Sequence, residues 1–186
     1  MENKSSPVTR HSSPVTRRAV FLDRDGVINK ALVRNGRPHP PANLEEMEIL
    51  EGVPQALQTL REAGFLLIGV TNQPDVARGT QRKEVVESIH SALMEALPLD
   101  EILVCYHDDG DRCACRKPNP GLLFEAAKRH SIDLAASFMV GDRWRDIGAG
   151  KQAGCTSILI DYQYAERKPS SPPACVVRSL REAASW

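Results

Sequence analysis

Five short apolar runs recur along the chain, "AVFLD" at 19–23, "FLLIGVT" at 65–71, "ILVCY" at 102–106, "SFMVGD" at 137–142 and "TSILID" at 156–161. Runs of this length, continuous rather than alternating, predict strands buried on both faces. Between them the apolar spacing predicts helices over 53–63, 81–97, 121–130 and 145–153, and glycines at 64 and 154 supply stops after the first and last. Strand alternating with helix over the whole body predicts an α/β fold, a doubly wound, Rossmann-like parallel sheet. Past residue 161, "KPSSPP" reads as loop and "CVVRSLREAASW" as a short strand and a terminal helix.

Ahead of the first run, residues 1–17 carry "SSPVTR" twice, at 5–10 and 12–17. This stretch is polar, contains proline and has no periodicity, so it is expected to be a disordered tail preceding a single domain over 18–186. The 186 residues are 41% hydrophobic and 26% charged, enough for one well-buried core. Net charge is zero, from 24 basic and 24 acidic residues, so no overall field draws nucleic acid or an anionic membrane. Aromatic residues make up only 5% and none clusters beside a basic run, which argues further against single-strand binding. No apolar run approaches the roughly 20 residues that span a bilayer, and the N-terminus lacks a secretory apolar stretch. The expectation is a cytoplasmic protein, with a monomer as the default state.

In open α/β sheets ligands bind beyond the carboxyl ends of the strands, so the residues closing each run bear on function. The first closes in "DRDG" with Asp23 and Asp25, the second in "TNQ" with Thr71, and the fourth in "GDRWRD" with Asp142 and Asp146. The third leads into "CYHDDGDRCACRKPNP" and Lys117. One Asp-x-Asp pair is as readily a turn cap as a catalytic pair. Four polar strand ends together point to one site. Asp23, Asp25 and Asp142 would gather negative charge that needs a hard cation, and Mg²⁺ is the natural candidate. Beside it a carboxylate can attack phosphorus, with Thr71 and Lys117 offered to the transferring oxygens. Asp25, two residues on and on the same side of an extended chain, can protonate the leaving oxygen and then deprotonate water.

Cys105, His107, Cys113 and Cys115 form Cys-x-His, five intervening residues, Cys-x-Cys. Three thiolates and one imidazole complete a tetrahedral Zn²⁺ set with no open position, which predicts a structural zinc. The spacing of Cys113 and Cys115 is not that of a thioredoxin-type pair. A metal suits "HDDGDR", which is too polar to hold itself by packing, and would fix Arg116 and Lys117 at the pocket rim. Cys155 and Cys175 read as ordinary thiols; His39, His90 and His130 as surface or helix residues; Trp144 as a packing residue at a helix start.

"FLDRDGVIN", "VTNQPDVARG", "CRKPNPGLL" and "MVGDRWRDIGAG" resemble, in order, the four motifs of haloacid dehalogenase superfamily phosphatases. The cysteine loop just ahead of Arg-Lys-Pro is similar to that of the heptose bisphosphate 7-phosphatases and the related histidinol phosphatases. The resemblance implies Asp23 as nucleophile, Asp25 as general acid/base, Thr71 and Lys117 as phosphoryl stabilisers, and Asp23, Asp25 and Asp142 at Mg²⁺, with the backbone carbonyl of Asp25 among the ligands. It implies that Asp146 orients Lys117 or a metal-bound water. Neither insertion point has room for a cap domain, so the pocket should be open, its 26-residue connection between Asp25 and Gly52 forming at most a flap.

Substrate recognition then falls to loops, with Asn72, Gln73, Arg116 and Arg143 expected at the substrate and Lys30, Arg34 and Arg37 as further cations. Guanidinium groups beside a phosphoryl site favour a second anionic group on the same molecule, hence a bisphosphate. The resemblance names it as a phosphorylated sugar, D-glycero-D-manno-heptose 1,7-bisphosphate. Two alternatives accompany this reading. A histidinol phosphatase would use Asp108, Asp109 and Asp111 for a cationic substrate. A non-catalytic zinc-stabilised binding module would have no need of the intact acid, threonine and lysine set.

Overall fold

A computed structural model describes residues 16–186. The repeated tail lies outside the described residues up to position 15; at its end Arg17 bridges Ile132. Six strands, β1 (Arg18–Leu22), β4 (Phe65–Asn72), β5 (Glu101–Cys105), β6 (Phe138–Gly141), β7 (Thr156–Ile160) and β8 (Cys175–Val177), form one sheet in the order β5-β4-β1-β6-β7-β8. Every pairing in it is parallel, as buried apolar runs require. The edge strand β8 comes from the "CVV" segment beyond the last long run.

Five helices cover the sheet: α1 (Val53–Glu62), α2 (Lys83–Ala96), α3 (Gly121–His130), α4 (Trp144–Ala153) and α5 (Leu180–Ser185). Because side chains alternate along a strand, Val20 and Leu22 of β1 join one core with Leu57 of α1, Ile89 of α2 and Leu180 of α5. Ala19 and Phe21 join the other, with Leu123 of α3 and Ala149 of α4. Leu57 and Leu123 are fully buried. Truncating either to alanine would cost about 2–5 kcal/mol, so each helix is held by its apolar stripe. Gly154 ends α4 at φ 84°, a left-handed stop that fits glycine.

The chain runs outward from β1 through β4 to β5, then returns to the other side of β1 for β6, β7 and β8. Strand order therefore reverses around β1, and the carboxyl ends of β4, β1 and β6 open onto the crevice where such sheets bind ligands. A hairpin of β2 (Leu32–Arg34) and β3 (Arg37–His39) forms the flap over it. No helix among the described residues is long and apolar enough to cross a membrane.

Candidate active site

Asp23 directly follows β1, its amide hydrogen-bonded to the Val140 carbonyl of β6 at 3.0 Å. Asp142 and Asp146 follow β6, and Lys117 enters from the loop after β5. Lys117 is 2% exposed, and its ammonium lies 2.8 Å from Asp23 Oδ1, 2.6 Å from Asp146 Oδ1 and 2.7 Å from the Val70 carbonyl. Burial pulls its pKa down, but Asp146 and Asp23 offset this and hold it above the usual lysine value. Asp23 is pushed up to about 6 by burial and by Asp146, with Lys117 opposing. Burial, then Asp23 and Asp146, raise Asp142 well above the usual carboxylate range.

Both carboxylate oxygens of Asp142 are buried without a well-formed hydrogen bond, although the Tyr164 hydroxyl faces the carboxylate and partly counters the upward shift of its pKa. Oxygens of Asp23, Asp142 and Asp146 lie within 4.8 Å of one another. Three buried carboxylates facing one lysine leave uncompensated negative charge, and an oxygen-only set fits Mg²⁺. Gly26 permits this approach: at φ +91° it passes so close that a Cβ would sit 1.9 Å from Asp142 Oδ2. The carboxylate of Asp25 is outside this cluster, which leaves its backbone carbonyl as the expected ligand; the side chain lines the pocket and is held by Arg24, Asn29 and Gln73.

On the β5 side, Sγ of Cys105, Cys113 and Cys115 and Nδ1 of His107 also lie within 4.8 Å of one another. The sulfurs are 3.2 to 3.7 Å apart. A tetrahedron with Zn–S bonds of about 2.3 Å has edges of about 3.8 Å, so the four donors fit zinc.

The HAD-hydrolase-like family profile matches residues 114–183. The D-glycero-beta-D-manno-heptose-1,7-bisphosphate 7-phosphatase of Helicobacter pylori (strain J99) is 35% identical over 177 residues, spanning 92% of this chain and 97% of the relative. The enzyme of the same name from Escherichia coli (strain K12) is 36% identical over 181 residues, 90% of this chain and 86% of its own length. The crystal structure of D,D-heptose 1,7-bisphosphate phosphatase from B. bronchiseptica, complexed with magnesium and phosphate, superposes with a TM-score of 0.75 at 32% identity, covering 90% of this chain and 96% of that one. The chain belongs to the heptose bisphosphate phosphatase family of haloacid dehalogenase-like hydrolases.

In this family member the pocket between flap and strand ends measures about 240 Å³ and is lined by Asp23, Asp25, Thr71, Lys117, Arg116 and Arg143, among others. Two residues expected at the substrate also make internal hydrogen bonds. Gln73, 1% exposed, donates to Asp25 Oδ2 at 2.8 Å and to Thr71 Oγ1 at 2.9 Å. Asn72 reaches the pocket wall, but its amide is spent on the backbone of Lys117 in both directions, at 3.0 Å each way. Of the three further cations, only Arg37 lines the pocket; Lys30 pairs with Glu48 at 3.2 Å and Arg34 is exposed.

The rim guanidiniums are balanced by acids that carry no motif. Asp109 accepts from Arg116 Nε at 2.8 Å and from both terminal nitrogens of Arg145 at 3.1 Å. Arg143 pairs with Glu166. Arg78 donates to Asp108 at 2.6 and 2.8 Å. Arg24, the largest fully buried side chain, was also missed. Its position between two catalytic-type aspartates in "DRDG" is the one sequence signal that could have singled it out.

Proposed function

We propose that this protein removes the 7-phosphate of D-glycero-D-manno-heptose 1,7-bisphosphate, with Asp23 as nucleophile and a phosphoaspartate intermediate. The observation that carries the reading is the buried Lys117 ammonium bridging Asp23 and Asp146 beside the buried carboxylate of Asp142. Asp23, Asp142 and the backbone carbonyl of Asp25 would hold Mg²⁺, which supplies charge neutralisation to the transferring phosphoryl group. Lys117 and the Thr71 hydroxyl donate to its equatorial oxygens, which suits a transfer whose catalysis is mainly positioning and electrostatics.

In the first half-reaction an oxygen of Asp23 forms a bond to phosphorus as the bond to the sugar O7 breaks, and Asp25 gives that oxygen a proton. In the second, Asp25 takes a proton from water, whose oxygen displaces Asp23 and releases inorganic phosphate. Arg116 and Arg143, on the pocket wall, would receive the 1-phosphate once their internal carboxylates yield. Zn²⁺ on the cysteine loop would be structural. We place the protein in the reducing cytoplasm, where such thiolates persist, acting as a monomer.

The histidinol phosphate alternative is disfavoured because relatives that match this chain over about nine-tenths of its length are heptose-1,7-bisphosphate 7-phosphatases by name. Phosphate release with Mg²⁺ from the α and β anomers of heptose 1,7-bisphosphate, histidinol phosphate and a 3′-phosphorylated oligonucleotide tests the reading. Preference for a heptose anomer is expected; preference for histidinol phosphate or the oligonucleotide would overturn it.

A further inference from the structure

Asp25 receives five hydrogen bonds. Its Oδ1 accepts from Arg24 Nε at 3.1 Å, Arg24 Nη2 at 2.9 Å and Asn29 Nδ2 at 3.0 Å, and its Oδ2 from Arg24 Nη2 at 2.9 Å and Gln73 Nε2 at 2.8 Å. Three come from one guanidinium that is 0% exposed, so the plane of Arg24 sets where the Asp25 carboxylate points. Two of that guanidinium's three nitrogens are committed to Asp25. The third, Nη1, lies 3.0 Å from Nε2 of His90, on α2 and 66 residues away. An arginine can only donate, so the ring nitrogen facing it must accept, which requires the neutral imidazole with its proton on Nδ1.

His90 is suited to that state. Burial and the facing Arg24 hold its pKa down at about 4, with Asp25 opposing. A protonated ring would turn a second cation on Arg24 and remove the acceptor. No metal-type cluster among the described residues includes His90, and it does not line the active-site pocket, so no contact with substrate explains it.

We propose that His90 is a positioning residue for the acid/base step, holding the Arg24 guanidinium in the plane that clamps Asp25 at the pocket. This rests on the reading of Asp25 as the acid that protonates the sugar oxygen. Substrates with a poor, alkoxide-type leaving group need that acid; an aryl phosphate with a stable phenolate does not. A merely structural role for His90 would not distinguish the two.

The test compares kcat/KM, which reports steps through leaving-group departure, for heptose 1,7-bisphosphate and p-nitrophenyl phosphate in wild type, H90L, H90Q and D25N. General acid catalysis contributes about 10²–10⁴-fold, and losing its alignment should forfeit part of this. H90L should lower kcat/KM for the sugar bisphosphate roughly 10-fold or more and change the aryl phosphate by less than about 2-fold. H90Q, whose amide oxygen can accept from Arg24, should recover most of the loss. Equal loss on both substrates, no loss, or no rescue by H90Q would overturn the proposal. If H90L does not fold, judged by its melting curve, H90A replaces it in the same comparison. D25N separates the two readings: if it loses both substrates equally or neither, the acid role of Asp25 fails; if it loses the sugar selectively while H90L does not, only the proposal for His90 fails.

Discussion

Asn72 and Lys117 are locked to each other across 45 residues: the Asn72 amide nitrogen donates to the Lys117 carbonyl and its oxygen accepts from the Lys117 amide, both at 3.0 Å. This pair ties the end of β4 to the loop after β5, so the ammonium between Asp23 and Asp146 is aimed from two sides. N72A should lower kcat by about 10- to 100-fold, as expected when a stabilising cation is misaimed, with little change in KM. N72D keeps the acceptor but loses the donor, and should fall between. Steady-state kinetics on both variants check this; a change confined to KM would place Asn72 at the substrate instead.

Burial, together with Asp23 and Asp146 beside it, raises the pKa of Asp142 well above the usual carboxylate range. A carboxyl whose folded pKa is raised gives stability only at low pH and loses it as pH rises through the folded value. At neutral pH without Mg²⁺ the site has therefore lost stability that it holds in acid. D142N should melt several degrees higher than wild type in chelator, given about 2–4 °C per kcal/mol at this size. Added Mg²⁺ should raise the wild-type melting temperature and leave D142N nearly unmoved. Identical Mg²⁺ responses would exclude Asp142 as a ligand.

Asp109 of the cysteine loop holds Arg116 and Arg145 at the pocket rim. In C113S, metal content should fall first. The apparent Michaelis constant for a bisphosphate should then rise at least several-fold, because Arg116 is no longer fixed. R116A should raise that constant far more than the one for a small aryl phosphate. Elemental analysis paired with kinetics reads both effects; full activity in a zinc-free C113S protein would separate the metal from the pocket.

His90 contributes a stability that depends on pH. Its folded pKa of about 4 lies below the ordinary value of 6.5, so between those limits the unfolded chain binds a proton that the folded chain refuses. The contribution is present above pH 6.5 and lost as pH falls toward 4, on the order of 3 kcal/mol at most. The wild-type melting temperature should therefore drop more steeply over this range than that of H90Q. Parallel curves would show that His90 titrates alike in both states.

Much of this protein was legible in its sequence. Continuous apolar runs fixed the parallel sheet because buried strands leave no other pattern, and "DRDG", "TNQ", "RKP" and "GDRWRD" marked its carboxyl ends. The Cys105, His107, Cys113 and Cys115 cluster was legible because a thiolate and imidazole set that could hold one metal needs close spacing on one loop. The motif put Asp25 at a strand end, and the structure adds that it lines the pocket with its carboxylate held by Arg24, which the sequence could not say. The sequence placed Asn72 and Gln73 at the substrate, since residues after a catalytic-type threonine are equally apt to face the ligand or brace it.

Tertiary structure alone decided the partners of the charges. Asp109 with Arg145, Glu166 with Arg143 and His90 with Arg24 join positions 36, 23 and 66 residues apart. Nothing local distinguishes those residues from solvated surface charges or an ordinary helix histidine. Periodicity and residue type determine which face of an element is buried and which chemistry its end can carry. Which guanidinium meets which carboxylate depends on how loops from different strands cross above the sheet, and that geometry exists only once both hydrophobic layers have closed.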